Sequence, residues 1–397
     1  MKMKLLIVSC FLLFGTITIK AQEMSNVPGT VINYYPASSG IYVGSPSLVV
    51  LPNGHYLATH DLSGPKGDTM PNAMVFISAD RGKTWEEQGE VKGQYWSTIF
   101  YNKGSLYLIG TNKAMGAIVI RKSDDEGKTW TSPSDGKSGL IKDGKFHCAP
   151  TPILVTHGKI YRGFEQSGTD EPGKWCSAMK SFMIYSSVDA DLLNADSWKF
   201  TNMVLKPKNI PGTGWLETNA VEDRDKRIVG LTRLNTEEDN VAGFYQLTPD
   251  GNQIDTTTIK TVEMPGACKK FTVRFDSKSK LFWALTNYPP DELKGVNKVE
   301  RMRSVLTLIS SPDLTKWTIR NYVLASKNVQ KEGFQYVDWQ VDGEDIVFVS
   351  RTAFDDEIGG ADNCQNANFL TFHRIPNFRK IKENKLSEAW LKTESEE

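Results

Sequence analysis

Ser78-Ala-Asp80-Arg-Gly82-Lys-Thr84-Trp85 and Ser123-Asp-Asp125-Glu-Gly127-Lys-Thr129-Trp130 share the pattern S-x-D-x-G-x-T-W, and the second begins 45 residues after the first. The pattern has a mechanism. Ser and Asp side-chain oxygens accept hydrogen bonds from the backbone of a tight turn, and Gly supplies a left-handed position. The Trp then packs beside the next strand. A repeat at this period makes each copy part of one supersecondary unit in a larger array.

Working outward, hairpins recur around short polar turns at residues 52–54, 102–104, 157–158, 223–225, 276–278 and 342–344, each flanked by apolar runs such as 47–51 and 55–59. Decayed copies of the box follow later: Ser187-Val-Asp189 with Trp198, and Ser311-Pro-Asp313-Leu-Thr-Lys-Trp317. Four strands per unit predict an all-β chain, a six-bladed β-propeller of four-stranded antiparallel blades, with seven blades the alternative. Residues 31–35 would supply the strand that closes the ring.

The chain of 397 residues opens on Met-Lys-Met-Lys and an apolar run to about Thr18. This reads as a signal peptide over residues 1–21, cleaved after Ala21. Residues 22–379 form the single propeller domain and 380–397 a charged tail. The expected location is outside the cytoplasm, periplasmic or extracellular, with no membrane contact after cleavage and a monomeric state. Forty-seven basic and 47 acidic residues cancel, which disfavours nucleic acid as a partner. Cys148, Cys176, Cys268 and Cys364 fit no zinc spacing. A Cys148–Cys176 bridge and four buried thiols are the two readings of them. No cofactor or metal site is expected; Asp355 and Asp356 are the loop carboxylates that would come closest to a calcium set.

In a propeller the hairpin turns and the boxes share one face. The other face collects the starts of first strands and the ends of second strands. Read that way, the mouth gathers His60-Asp61, Tyr95-Trp96, His147, Glu165, Trp215 with Glu217, Arg233, Lys269-Lys270, Tyr336 and Arg351. Cations that hold a carboxylate and rings that stack on a sugar suit a small anionic or sugar ligand. His60 is the expected general acid/base, because its unperturbed pKa lies near the working pH. Arg233, Arg351 and Lys270 would neutralise a carboxylate, and His147, Trp339 and Asp61 would shape the sugar pocket.

The boxes, the repeated units and Ser45-Pro46-Ser47-Leu-Val-Val-Leu-Pro-Asn-Gly54 together resemble the sialidase superfamily with its Asp-box repeats. The resemblance implies an arginine triad on the sugar carboxylate, a Tyr nucleophile activated by Glu, and an Asp acid/base. Trp215-Leu-Glu217 with Arg233 resembles the segment bearing the activating Glu and second Arg. Phe334-Gln-Tyr336 resembles the nucleophile segment, which implies Tyr336 as nucleophile or second base helped by Glu217, and Arg303 would be the third Arg. The first Arg is missing, because Gly44 stands in Val43-Gly44-Ser45-Pro46. The acid/base Asp falls at Thr59-His60-Asp61. His60 also resembles the His of Bacteroidetes-type propellers that cleave rhamnose–glucuronate linkages. Three functions follow: an enzyme cutting a terminal sugar at an acidic, uronate-type glycan by hydrolysis or β-elimination, a sialidase whose carboxylate site is rebuilt from Arg233, Arg303 and Arg351, and a glycan-binding propeller without catalysis.

Overall fold

The computed structural model describes residues 26–382. The expected signal peptide, and the tail beyond Lys382, lie outside the described residues. The strands pair into antiparallel four-stranded units. The first contains Ser47–Val50, Tyr56–Ser63, Asn72–Ser78 and Glu86–Lys92. The second contains Tyr95–Asn102, Ser105–Thr111, Gly116–Ser123 and Leu140–His147. The third runs Leu154–Thr156, Lys159–Gln166, Lys180–Ser187 and Lys199–Phe200. The fourth runs Trp215–Glu222, Ile228–Leu234, Val241–Leu247 and Ile254–Glu263. The fifth runs Thr272–Asp276, Leu281–Asn287, Val305–Ser311 and Thr318–Ala325. The last joins Gly333–Asp342, Asp345–Ala353 and Phe369–Ile375 to the N-terminal strand Thr30–Tyr34.

That last pairing closes a ring, as the stranded apolar run near the start of the chain leads one to expect. Thr30 faces Phe372 and Tyr34 faces Phe369. Innermost strands of successive units lie side by side but share no ladder with one another, so side chains satisfy their backbones. Asp338 accepts from the Ser47 hydroxyl (2.8 Å) and Leu48 N–H (3.0 Å), and Ser47 accepts from Ile99 N–H (3.1 Å). Asn219 accepts from Val273 N–H (3.0 Å), and Thr272 donates to the Val337 carbonyl (2.5 Å).

Apolar cores fill the gaps between units. Val221, Leu231, Phe244, Val273 and Phe282 form one cluster between the fourth and fifth units, and Val43, Tyr56, Phe76, Val347 and Leu370 form another between the first and last. Each such side chain is worth about 1.5–3 kcal/mol when buried. Second strands are covered on both faces, so Ile228–Leu234 is buried throughout, whereas the outermost strand Glu86–Lys92 is largely exposed.

The boxes form the turns their sequence encodes. Asp80 accepts from Lys83 N–H (3.0 Å), Thr84 N–H (2.9 Å) and the Thr84 hydroxyl (2.6 Å), while Ser78 accepts from Gly82 N–H (2.8 Å). Gly82 sits at φ +90° and Gly127 at +86°. The shortened copy folds alike, with Leu314 at φ 68° in place of Gly and Trp317 donating to the Leu314 carbonyl at 3.2 Å. Box turns touch the hairpin turns of the neighbouring unit: Arg81 pairs with Asp342 (2.5 Å) and Glu126 with His55 (3.0 Å). Both sets of turns therefore share one face.

Candidate active site

On the opposite face, three innermost strands begin with the same device. Trp96, Glu217 and Tyr336 have φ of 51°, 58° and 54°, although none is Gly. Each falls where its ladder slips: between Tyr95 and Thr98, Leu216 and Asn219, and Gln335 and Asp338. A bulge of this kind re-aims one side chain out of the strand alternation. The left-handed backbone costs about 1–3 kcal/mol at each position and persists where the surroundings over-determine it.

The re-aimed side chains meet across the ring. The Tyr336 hydroxyl donates to Glu217 Oε1 at 3.0 Å, bridging the last unit to the fourth. Arg233 Nη1 donates to Glu217 Oε2 at 3.0 Å and lies 3.4 Å from the Tyr336 hydroxyl, while its Nε donates to the Cys268 carbonyl at 2.9 Å. Burial alone would raise the Glu217 pKa. The charges of Arg233 and His147 and two hydrogen bonds outweigh it, so Glu217 is held below its ordinary value and is ionised. Two more guanidinium groups flank the phenol. Arg351 lies 5.0 Å and Arg303 5.5 Å from the Tyr336 ring centre. Arg303 is fixed by Gln335 (2.7 Å) and the Glu300 carbonyl (2.9 Å). Arg351 is fixed by the Gln365 carbonyl (2.5 Å) and keeps a buried Nε with no partner.

Asp61 approaches from the first unit. It is 1% exposed, and its Oδ2 accepts the Trp96 N–H at 2.8 Å. Burial raises its pKa well above the ordinary value, against the N–H groups of Trp96 and Ser45 and the charge of Arg351. Desolvation therefore pushes Asp61 towards its neutral, protonated form. Gly44 abuts it: a Cβ there would stand 2.8 Å from both the Asp61 Cβ and carbonyl oxygen. An arginine cannot occupy position 44 in this backbone, and Arg351 is the third guanidinium at the site.

Three expectations are corrected. His60 is adjacent to Asp61 and therefore on the other side of the strand. It is fully buried; Nδ1 is 2.8 Å from the Asp61 carbonyl, Nε2 is 2.9 Å from the Asn33 amide, and the ring stacks on Phe76 at 5.8 Å. Burial lowers its pKa to about 4, despite the Asp61 carbonyl. It has no nitrogen to offer a substrate. Trp339 lies in the apolar core with Trp283 and Phe348, donating to the Thr272 carbonyl at 3.0 Å. Lys270 is buried between inner strands, its amine on Thr272 (2.7 Å) and the Val337 carbonyl (2.6 Å). Burial brings its pKa down to about 8, with Asp338 and Glu217 opposing.

His147 reaches the mouth, with Nδ1 2.8 Å from Glu165 Oε2 and its ring 4.7 Å from Trp96. Trp96 and Glu165 stand among the strand ends of the sequence, but nothing there gives them a role. Trp175, 6.4 Å from His147, leaves no strand pattern at all; its signal is a lone indole in the polar stretch Gly173-Lys174-Trp175. Cys148, Cys176, Cys268 and Cys364 are buried free thiols, so Cys148 and Cys176 are not bridged. Asp355 pairs with Lys331 at 3.0 Å and Asp356 accepts from its own loop's Ile358, Gly359 and Gly360 N–H groups. A cavity of about 750 Å³ opens on the box face, lined by Val155, Glu222, Arg224 and Phe275. Glu222, its glutamate, is tied to Lys226, Thr156 and His157.

No family model and no curated relative matches the sequence. Solved structures do match. The Hadza microbial sialidase Hz136 superposes with a TM-score of 0.59 at 13% identity, over 88% of this chain and 68% of that one. The Fusarium graminearum α-L-arabinofuranosidase gives 0.56 at 12% identity, over 88% and 97%. The Penicillium chrysogenum α-L-arabinanase, solved with arabinobiose, gives 0.55 at 14%, over 90% and 99%. The chain has the sialidase-like β-propeller fold. At these identities the likeness speaks to the fold, and the reaction has to be argued from the site. No helix among the described residues is long and apolar enough to cross a membrane.

Proposed function

We propose that this protein is an exo-acting glycoside hydrolase that removes a terminal, carboxylate-bearing sugar, and that its sheet units are six propeller blades. The observation that carries the reading is the Tyr336–Glu217 hydrogen bond of 3.0 Å, set among Arg233, Arg303 and Arg351. The fold is shared by enzymes named for neutral furanosides and by sialidases. Three guanidinium groups around one phenol favour an anionic ring, since Arg–carboxylate pairs are among the strongest charge-assisted contacts.

A neutral phenol also suits such a substrate. A carboxylate nucleophile would be repelled by the sugar's own carboxylate, whereas tyrosine is not, and tyrosine is an attested alternative to the usual pair of carboxylates. Tyr336 Oη bonds to the anomeric carbon and its proton passes to Glu217. Asp61, whose burial favours the protonated form, gives its proton to the glycosidic oxygen as that bond breaks. Water then attacks the anomeric carbon and yields its proton to the Asp61 carboxylate, while Glu217 returns the proton to the departing phenolate.

Sialic acid is the first candidate for the sugar and a uronic acid the second. Hydrolysis is favoured over β-elimination because His60, the expected base, has both nitrogens occupied. Export by way of residues 1–21 would bring the enzyme to glycans outside the cytoplasm, where it acts as a monomer. The test is mass spectrometry of products from sialyl, uronosyl and rhamnosyl-glucuronate oligosaccharides, because hydrolysis adds the mass of water and elimination does not. Turnover by Tyr336→Phe at the wild-type rate, or turnover of neutral arabinosides alone, sinks the reading. Saturable binding of acidic glycans without turnover makes the protein a glycan-binding propeller.

A further inference from the structure

We propose that Trp96, His147 and Trp175 form a second sugar subsite, which holds a neutral pyranose on the leaving-group side of the scissile bond. Its placement relative to that bond rests on the hydrolase reading above; the subsite itself does not.

The mouth is divided. Its three arginines come from the fourth, fifth and last units. Trp96 and His147 come from the second unit, and Trp175 from the loop within the third. Asp61 is linked to both halves, with the Trp96 N–H on its Oδ2 at 2.8 Å and the charge of Arg351 acting on its carboxyl. A glycosidic oxygen at Asp61 is therefore within the influence of both the arginine half and the ring half.

Trp175 is 48% exposed, one of few large apolar side chains left in water, yet its loop is held fast. Asp170 accepts from Cys176 N–H and Ala178 N–H, both at 2.8 Å, and the Trp175 carbonyl accepts from the Thr213 hydroxyl at 2.9 Å. Gly214 packs so tightly beneath that a Cβ there would lie 2.1 Å from the Cys176 carbonyl. An exposed indole on a braced backbone offers its face to the C–H face of a pyranose, an apolar body with a polar rim.

His147 supplies direction. Its Nδ1 is 2.8 Å from the fully buried Glu165 carboxylate, which fixes the ring and commits Nδ1. Nε2 has no protein partner among the described residues, and it suits a sugar hydroxyl. The charged group in direct contact with His147 is the Glu165 carboxylate, which disfavours a second acidic sugar.

The probe is lactose, with glucuronic acid as the anionic control, titrated into the full chain and followed by tryptophan fluorescence and saturation-transfer NMR. Lactose is expected to bind weakly. Trp175→Ala should weaken it about tenfold, the scale of one lost aromatic contact. Trp175→Phe should keep most of the affinity, and His147→Gln should lose several-fold. Lactose binding that is equal in Trp175→Ala and wild type, or that never saturates, overturns the subsite. Trp175-dependent lactose binding by a protein that cleaves no acidic glycoside upholds the subsite and sinks the hydrolase reading. Cleavage of sialyllactose that ignores Trp175→Ala does the reverse.

Discussion

Asp80 and Asp61 belong to the same four-stranded unit and sit at opposite ends of it, and their surroundings drive the same carboxyl group in opposite directions. Asp80 is partly open to water in the box turn. Its slight burial would raise its pKa, but the Thr84 hydroxyl and N–H, the Ser78 hydroxyl and the Lys83 N–H lower it to about 2. Asp61 is buried at the mouth, and desolvation prevails over the two N–H groups and Arg351 that favour its anion. The loud, repeated aspartate is an anion that staples a turn. The quiet one is pushed towards its neutral form. Donor count and burial, rather than residue type, separate structure from chemistry here.

The largest expected effect lies at the mouth. Asp61→Asn should cut turnover of the acidic glycoside by about 10²–10⁴-fold, the usual scale for a lost general acid. The same change should leave the melting temperature at pH 7 unchanged or higher. A carboxyl whose folded pKa is raised ionises more readily in the unfolded chain. Stability therefore falls as pH climbs from about 4 towards the folded value, and Asn removes that slope. A melting temperature that drops with Asn would break the comparison.

Arg351→Lys should come next, raising KM roughly tenfold or more with a smaller change in kcat, because Lys cannot reproduce a planar, two-pronged carboxylate contact. Steady-state kinetics on sialoside and neutral aryl glycoside would check it; equal losses on both would mean the residue only braces Tyr336.

On the box face, Asp80→Ala should cost about 1 kcal/mol, as other side chains that cap backbone N–H groups do. It should leave kcat/KM within about twofold of wild type, because no part of the turn touches the mouth. A tenfold activity loss in a protein of wild-type stability would show that the two faces are coupled.

The smallest effect concerns pH. His60 has its folded pKa lowered to about 4 and is buried neutral. Stability linked to it is present above its unfolded pKa of about 6.5 and is lost as pH falls towards 4. Urea midpoints at pH 7 and pH 5 should differ less in His60→Phe than in wild type. A wild-type difference retained in His60→Phe would place the acid sensitivity elsewhere, with His373, lowered by burial to about 3, the next group to test.

How much was legible follows from covering. Second strands such as Ile228–Leu234 are buried on both faces and read as unbroken apolar runs. The outermost strand Glu86–Lys92 is mostly solvated and has nothing to betray it in the sequence. Tyr336, Glu217 and Arg233 were reachable through a resemblance, and the structure brings them into contact. Trp175 was not reachable, because its role depends on a braced loop with no periodic pattern.

By itself the sequence determined what short-range chemistry can encode: the box turns, the hairpins, and the missing arginine at Gly44. Those depend on residues within a few positions of one another, where hydrogen bonds and φ preferences decide. Only the tertiary structure shows His60 packed away with both ring nitrogens engaged, because neighbours in a strand face opposite sides and a single bulge reverses the reading. It likewise gathered arginines from three separate units around one tyrosine. No local pattern records that, since the ring that makes them neighbours exists only once Thr30–Tyr34 has paired with Phe369–Ile375.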